Sequence, residues 1–390
     1  VPEFWLNYGT VDVVLAISAE NLKGEINTTG GTLGYLEIAE RLKQIPMPLD
    51  LVLLHDSDAV RQIVSSLFQL CAQKSVPPPT VLADSSVIRQ IKNALPEGAV
   101  ISEFADAAGR TMLPRTGIPA GGVTPVPAAK PVRSKNLVFV AEAEFDGLFG
   151  CKTIATRLLK RFGADSMLLA YAKRDGNTPS SGRRTGSFDE AVKFADSFDI
   201  WGIEIAANSG GISEIFVGHP SETAVSVAER MRSTNTQNVQ PQRAVVISTG
   251  RPTSSSTLAD SLSSLWNCHE CVRGKGVCVL AAECTYGLGS DAILMYVEGR
   301  LQEDTLRDPP SYIDGMEDLL FLSEMKKRYQ LGLVSILPRF YTRRLGIVPL
   351  DGMSRAMEYI FKTCGASQKI SIVSDGARTL LLRRPPPPLT

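Results

Sequence analysis

Two rhythms of apolar positions alternate along the chain. Unbroken runs such as Val11–Ser18 (VDVVLAIS) and Asp50–Leu54 (DLVLL) have the density of strands buried on both faces, whereas Leu33, Leu36, Ile38, Ala39 and Leu42 recur at helical spacing. A helix around Ala59–Cys71 and a strand near Val81 continue the series. Parallel strands need crossover connections, and helices supply them, so the pattern predicts a parallel sheet with helices on both faces. Further on, Leu137–Ala141 reads as a strand and Thr153–Phe162 as a helix. Ile200–Ala207 and Ile212–Val217 flank Asn208-Ser209-Gly210-Gly211, a hairpin signature.

The rhythm breaks at Leu113–Asn136, rich in Pro and Gly, which reads as a long loop. It breaks again at the polar run Ser233–Arg243, after a helix over Ser221–Arg232. The second half repeats the alternation, with strands at Ala244–Ser248, Val277–Ala282, Leu333–Leu337, Leu345–Val348 and Ile370–Val373. Helices are expected near Thr257–Trp266, Ala292–Arg300, Gly315–Tyr329 and Met353–Thr363. The expectation is an α/β protein of two domains, each a mostly parallel sheet with flanking helices, and a ligand cleft between them. The N-terminal domain would span 1–236 and contain the loop 113–136. The C-terminal domain would span 237–390, with its last strand packing back on the first domain and 383–390 (RRPPPPLT) forming a disordered polyproline-type tail.

At 390 residues, the length agrees with two domains of about 150 residues or more each. Lys plus Arg and Asp plus Glu both number 41, so there is no basic excess of the kind that phosphate-neutralising proteins show, and no nucleic-acid partner is expected. No apolar run approaches the roughly 20 residues of a membrane span, and no secretory leader is visible at Val1–Phe4. Seven cysteines are too few for a disulfide scaffold, which fits a cytoplasmic protein with reduced, buried thiols. Cys268-His269-Glu270-Cys271, Cys278 and Cys284 lack a second CxxC, and Cys278 falls in a strand run, so buried side chains are favoured over zinc.

In open parallel sheets, ligands sit beyond the carboxyl ends of strands. Three loops have suitable composition: Glu20–Gly34 with Thr28, Thr29, Gly30, Gly31 and Thr32; Thr249–Ser256 with Gly250 and Arg251; and Glu283–Asp291 with Gly287 and Gly289. Each could be a capped turn, or could offer amides and hydroxyls to an anion such as a nucleotide or a small acid. His55 ends a strand run beside Asp56 and Asp58, where an acid/base group or a merely structural histidine would sit. His219 reads as a helix cap and His269 as at least partly exposed.

The turn Glu283–Asp291 after its strand, the run Gln368–Gly376 (QKISIVSDG) and the first strand with Glu20 and Lys23 after it resemble the corresponding segments of the lactate racemase family, the nickel-pincer-nucleotide enzymes. The resemblance covers most of Val11–Leu381. It implies an isomerase, a racemase or epimerase of a small 2-hydroxy acid, with a nickel-bearing pyridinium nucleotide linked to a lysine. On that reading Lys152, in Phe149-Gly150-Cys151-Lys152-Thr153, takes the place of the cofactor lysine. Glu142, or Glu144 in a slipped register, takes that of a catalytic histidine, and His55 lies near that of the second. The family's Gln and Lys would fall near Ala259 and Leu262. No histidine occupies Ala155–Arg174, where the family's nickel ligand would lie, so no protein ligand to the metal is assigned. Glu142, His55, Glu20 and Lys23 are thus the catalytic candidates. Lys152, Thr29, Gly30, Gly31, Thr32, Gly250, Arg251, Gly287 and Gly289 are the cofactor-binding ones. Two alternatives remain: a nickel-free enzyme using carboxylate acid/base chemistry, and a non-catalytic binding or regulatory protein for an anionic metabolite. A homo-oligomer is compatible with either.

Overall fold

The computed structural model describes residues 2–45, 49–92, 94–96, 99–104 and 137–384. The Pro/Gly-rich stretch 113–136 and the tail 385–390 lie outside the described residues. Two six-stranded sheets carry the fold. In the first, the order is Gly211–Gly218, Trp201–Asn208, Leu137–Glu142, Asp50–Leu53, Thr80–Ala83, Ile101–Glu103. All of these run parallel except the outer hairpin strand Gly211–Gly218. In the second, Val348–Leu350, Gln330–Val334, Val272–Ala281, Gln242–Ser248, Ile370–Val373 and Leu22–Ile26 are all parallel. The α/β class with mostly parallel sheets and flanking helices is therefore as expected from the alternation.

The strand Leu137–Glu142 shows why a run without polar positions forms here. Leu137, Phe139 and Ala141 meet Ile154 and Leu158 of the helix Ile154–Phe162, while Val138 and Val140 meet Ile63, Val64 and Leu67 of the helix Asp58–Gln73. Both faces are covered, so alternation of polarity disappears. A larger core joins the two halves, with Phe145, Leu159 and Tyr171 in one cluster with Leu262, Trp266 and Phe321.

Two expectations need correction. Val11–Ser18 contributes not a central parallel strand but Asp12–Ala16, antiparallel to Glu3–Asn7 in a separate ribbon. Leu15 and Ile17 point into the second half's core while Val14 is exposed, so only one face is buried. Leu6, Tyr8, Leu15 and Ile17 accordingly pack with the second sheet, which Leu22–Ile26 joins as its edge strand. The polar run Ser233–Arg243 contains the strand Thr236–Val239, which pairs in parallel with the last strand, Leu380–Arg383. No helix among the described residues is long and apolar enough to cross a membrane.

Parallel register sets the carboxyl ends of Asp50–Leu53, Leu137–Glu142 and Trp201–Asn208 along one edge. That edge meets the corresponding edge of the second sheet, and the junction is polar. Glu142 accepts from Arg251 and Arg378, Ser209 donates to Asp375, and Lys160 reaches Glu317 at 2.7 Å.

Candidate functional site

Between the two edges lies a cavity of about 440 Å³. His55, Glu144, Lys152 and Arg157 line it from the first half; Thr253, Thr257, Asp260, Ser263 and Tyr286 line it from the second. The first group is built by a short antiparallel ribbon of Glu144–Asp146 and Gly150–Lys152, whose register sets Glu144 opposite Lys152. Asp146 closes the turn by accepting from the Leu148 and Phe149 amides at 2.9 and 2.7 Å. Gly150 has φ +81°, and a Cβ there would fall 1.7 Å from the Arg183 carbonyl oxygen, so the turn requires glycine. Thr153 then caps the helix Ile154–Phe162, and its first turn brings Arg157 to 2.8 Å from Glu144.

Three titratable groups lining the cavity, His55 and Glu144 from the first half and Asp260 from the second, are displaced in different directions. His55 follows the strand Asp50–Leu53, and among the described residues neither ring nitrogen has a hydrogen-bond partner. The neighbouring Asp56, its obvious partner from the sequence, is engaged instead by Arg61 Nε at 2.8 Å. Burial, then the Arg157 and Lys152 charges, outweigh Glu144 and Glu142 and push the imidazole down to about 3, so it is neutral at pH 7. Burial would raise Glu144, but the Arg157, Lys152 and His55 charges and the Arg157 hydrogen bond reverse this and hold it at about 2. Asp260, half-buried, moves the other way: loss of solvent raises it against the Thr257 hydroxyl, which donates to Oδ2 at 2.7 Å. Among the described residues the nearest carboxylate to the Lys152 ammonium is Asp146, at 3.9 Å.

Of the residues expected from sequence, Lys152 and His55 reach this cavity together. The others do not line it. Glu142 is buried at the junction, its Oε1 accepting from Arg378 Nε at 2.6 Å and Arg251 Nη1 at 3.1 Å, with Arg378 Nη2 in ion-pair contact at 2.5 Å. A carboxylate held by two guanidiniums is a structural counter-ion and not a free base. Arg251 is committed to the same cluster, with Asp375 at 3.6 Å on its other side. Glu20 and Lys23 are exposed at the amino end of the strand Leu22–Ile26, the opposite edge of the sheet from the cavity. Thr29, Gly30, Gly31 and Thr32 are exposed, and their loop lies across the hairpin turn at Asn208–Gly211, where Ser209 N–H donates to the Thr28 carbonyl.

Gly250 and Gly289 of the other two loops serve close packing, whereas Gly287, at φ +84°, faces open space. Gly250, at φ +78°, abuts Asp375, and Gly289, at φ +70°, abuts Thr257. The carbonyls of Gly287 and Leu288 take up the Leu258 and Ala259 amides, and Thr257 Oγ1 takes up that of Asp260. The start of the helix Leu258–Cys268 therefore has these donors already satisfied and offers none of them to a phosphate. On this helix Asp260 and Ser263 line the cavity, while Leu262, near which the resemblance sets a binding lysine, belongs to the core. The sequence carried a signal for Asp260, since Thr257-x-x-Asp260 is a helix-capping pattern. Tyr286 falls within the candidate loop Glu283–Asp291, whereas Arg157 had no signal. His219 caps the helix Pro220–Thr234, and His269 is buried, its Nδ1 against the Trp266 carbonyl.

A nickel-pincer nucleotide would need an anchoring lysine and a protein donor to the metal. Lys152 suits the first requirement. For the second, no group of three or more His, Cys, Asp or Glu among the described residues could hold a metal ion, and Glu142 is spent on arginines. His55 is the imidazole in the cavity wall, and it precedes Lys152 by 97 positions, so it does not supply the ligand expected after the lysine. The residues present do not fit the metal.

No family model matches the chain, and no curated protein does. Among solved structures, the chain is similar to the lactate racemase apoprotein from Thermoanaerobacterium thermosaccharolyticum, with a TM-score of 0.70 at 13% identity, covering 97% of this chain and 100% of that one. It is also similar to a protein from Thermotoga maritima, with a TM-score of 0.60 at 9% identity, covering 92% of this chain and 100% of that one. At such identities the likeness shows the fold alone: the scaffold is that of the lactate racemase apoprotein.

Proposed function

We propose that the cavity binds a small 2-hydroxy acid and that the protein is a racemase or epimerase working without nickel, by proton transfer between its own side chains. The observation that carries this reading is a neutral imidazole with two unpartnered nitrogens, His55, in one cavity wall with the ammonium of Lys152. Displaced titratable groups gathered in a cleft mark functional sites. The charges of the wall favour an anion: Asp56 is neutralised by Arg61 and Glu144 by Arg157, which leaves the Lys152 ammonium with only the 3.9 Å contact to Asp146.

In the proposed reaction, His55 takes the proton from C2 of the bound acid and Lys152 returns one to the opposite face. The product is the mirror-image centre; His55 then releases its proton to water and Lys152 takes one back from it. A base and an acid of these types are what such a 1,1-transfer requires. The scaffold's likeness to a lactate racemase supports the substrate class.

The test is exchange at C2. Protein treated with a chelator would be incubated in D2O with enantiopure lactate, glycerate, malate or mandelate, and followed by proton NMR and chiral chromatography. Deuterium should enter C2 of one of these acids with inversion, and His55→Asn and Lys152→Met should each abolish the inversion. No exchange with any of the four, despite binding seen as a thermal shift, would leave a non-catalytic anion-binding protein instead. A nucleotide-sized mass increment on Lys152 would overturn the nickel-free version.

A further inference from the structure

We propose that the amino edge of the second sheet, opposite the edge that meets the cavity, is a docking surface for an extended acidic segment of a partner protein. All six strands of that sheet are parallel, so their starts share one edge. Four adjacent strands carry a cation there. Arg328 precedes Gln330–Val334, and Arg273 and Lys275 lie near the start of Val272–Ala281. Arg243 is the second residue of Gln242–Ser248, and Lys369 precedes Ile370–Val373. All five are exposed.

The backbone, and not the reach of flexible side chains, brings them together. Val272 pairs with Gln242 and Val277 with Ala244, so Arg273–Gly276 bulges out of the edge. Within the bulge, Lys275 N–H donates to the Arg328 carbonyl at 2.6 Å, and a Cβ on Gly276 would fall 2.6 Å from the Arg243 carbonyl oxygen. Lys275 has φ +61°, a conformation natural to glycine and strained for lysine. Glycine would serve the bulge without strain, so the lysine contributes its charge and not its backbone.

These charges are not used within the chain. Among the described residues none of the five is in an ion pair, whereas at the carboxyl edge of the same sheet Arg251 and Arg378 are both held by Glu142. The acidic side chains nearby do not offset them. Glu270 is held by Arg183 and Glu324 by Lys327. Glu20 and Glu25 lie at the outermost strand, Leu22–Ile26, where they offset Lys23. Five like charges thus stand along about 14 Å, the width of four strands about 4.8 Å apart. Their mutual repulsion favours an anion that spans them all, and an extended peptide of about five residues, at about 3.3 Å each, covers that length.

Carboxylates suit this row best. Three of the five cations are arginines, whose planar forks match carboxylates in paired hydrogen bonds. Among the described residues, none of the exposed large apolar or aromatic side chains falls in the segments that form this edge. Unpaired bases would therefore find no ring to stack on, and a lipid surface no apolar side chain to take up. With no net charge, the chain also lacks the long-range field that draws nucleic acid to a protein. A partner seated here leaves the cavity mouth free, so docking and turnover are separable.

Fluorescence anisotropy of a labelled peptide of about ten glutamates, titrated with the full chain, tests this. Binding is expected in about 50 mM NaCl and should weaken at least about tenfold in about 300 mM. The triple variant Arg273→Gln, Lys275→Gln, Arg328→Gln should lose at least about tenfold in affinity with an unchanged Tm, since all three side chains are exposed and outside ion pairs. An equal change of charge elsewhere, in Lys43→Gln, Arg300→Gln, Arg355→Gln, should leave binding intact. No binding in the low-salt buffer, or equal losses in the two variants, refutes the proposal. An oligothymidylate or a phosphatidylserine vesicle that binds more tightly than the peptide, and is lost in the first variant, would reassign the edge to nucleic acid or to membrane and overturn it equally. The outcome does not depend on what the cavity turns over.

Discussion

Replacing Glu142 by Gln should weaken the whole molecule and not merely slow a reaction. Its Oε1 receives two hydrogen bonds, from Arg378 Nε and Arg251 Nη1, with Arg378 Nη2 in ion-pair contact at 2.5 Å, and its side chain is 3% exposed against 9% and 11% for Arg378 and Arg251. Removing one member of a buried ion pair strands the other, at a cost of about 3–5 kcal/mol. Arg251 would keep Asp375, at 3.6 Å, whereas Arg378 would keep only the neutral Asn208 carbonyl at 2.7 Å. The cost therefore falls mainly on Arg378, and about 3 kcal/mol is expected for Glu142→Gln. Arg251→Met should cost less, about 1–2 kcal/mol, because Glu142 would keep its hydrogen bond and ion-pair contact with Arg378. Urea unfolding at pH 7, followed by fluorescence and circular dichroism, measures both. A cycle with Arg378→Met should show coupling of at least about 1.5 kcal/mol between positions 142 and 378. A loss below about 1 kcal/mol in Glu142→Gln, or additive effects in the cycle, would refute the view that this carboxylate is a clamp between the halves.

Other outcomes follow from groups outside the cavity. Burial pushes Glu204 up to about 8 against the Ile154 amide bond and the Arg157 charge, so the folded chain keeps a proton that the unfolded chain releases from about 4.5. Its contribution to stability is then whole below pH 4.5 and lost as pH rises to 8. Glu204→Gln should gain on wild type between pH 5 and 8, by on the order of 4 kcal/mol at the upper end, and parallel stability curves would contradict this. Gly250→Ala combines φ +78° with a Cβ about 2.6 Å from Asp375 Cα, and should cost at least about 2 kcal/mol in the same unfolding assay. Lys160→Met removes the 2.7 Å bond to Glu317 and leaves a buried carboxylate with the Tyr312 hydroxyl, so thermal scans should show a clear fall in Tm.

How much could be read in advance depended on how local the determinants were. The strand Leu137–Glu142, the hairpin Trp201–Gly218 and the His219 cap follow from neighbours in the chain, and their sequence patterns were sufficient. His55 was legible because it ends a strand run, and Lys152 only through the resemblance of its glycine turn to that of the lactate racemase family. Val11–Ser18 was not, because an apolar run looks the same whether it is buried on two faces or half-buried in a ribbon. The role of Glu142 was hidden further, since its partners lie 109 and 236 positions away. Asp260 and Arg157 acquire meaning only when the two halves close on each other.

The pairing of Leu22 with Ile370 has a consequence for how the molecule is made. A ribosome adding about 5–20 residues per second needs roughly 20–70 s to travel from one to the other. Throughout that interval the ribbon Glu3–Ala16 and the strand behind it have been synthesised without the sheet that will receive them. The strand Leu22–Ile26 therefore waits for a partner made far later, and nascent chains should depend on helper proteins that shield it until Ile370–Val373 has been synthesised.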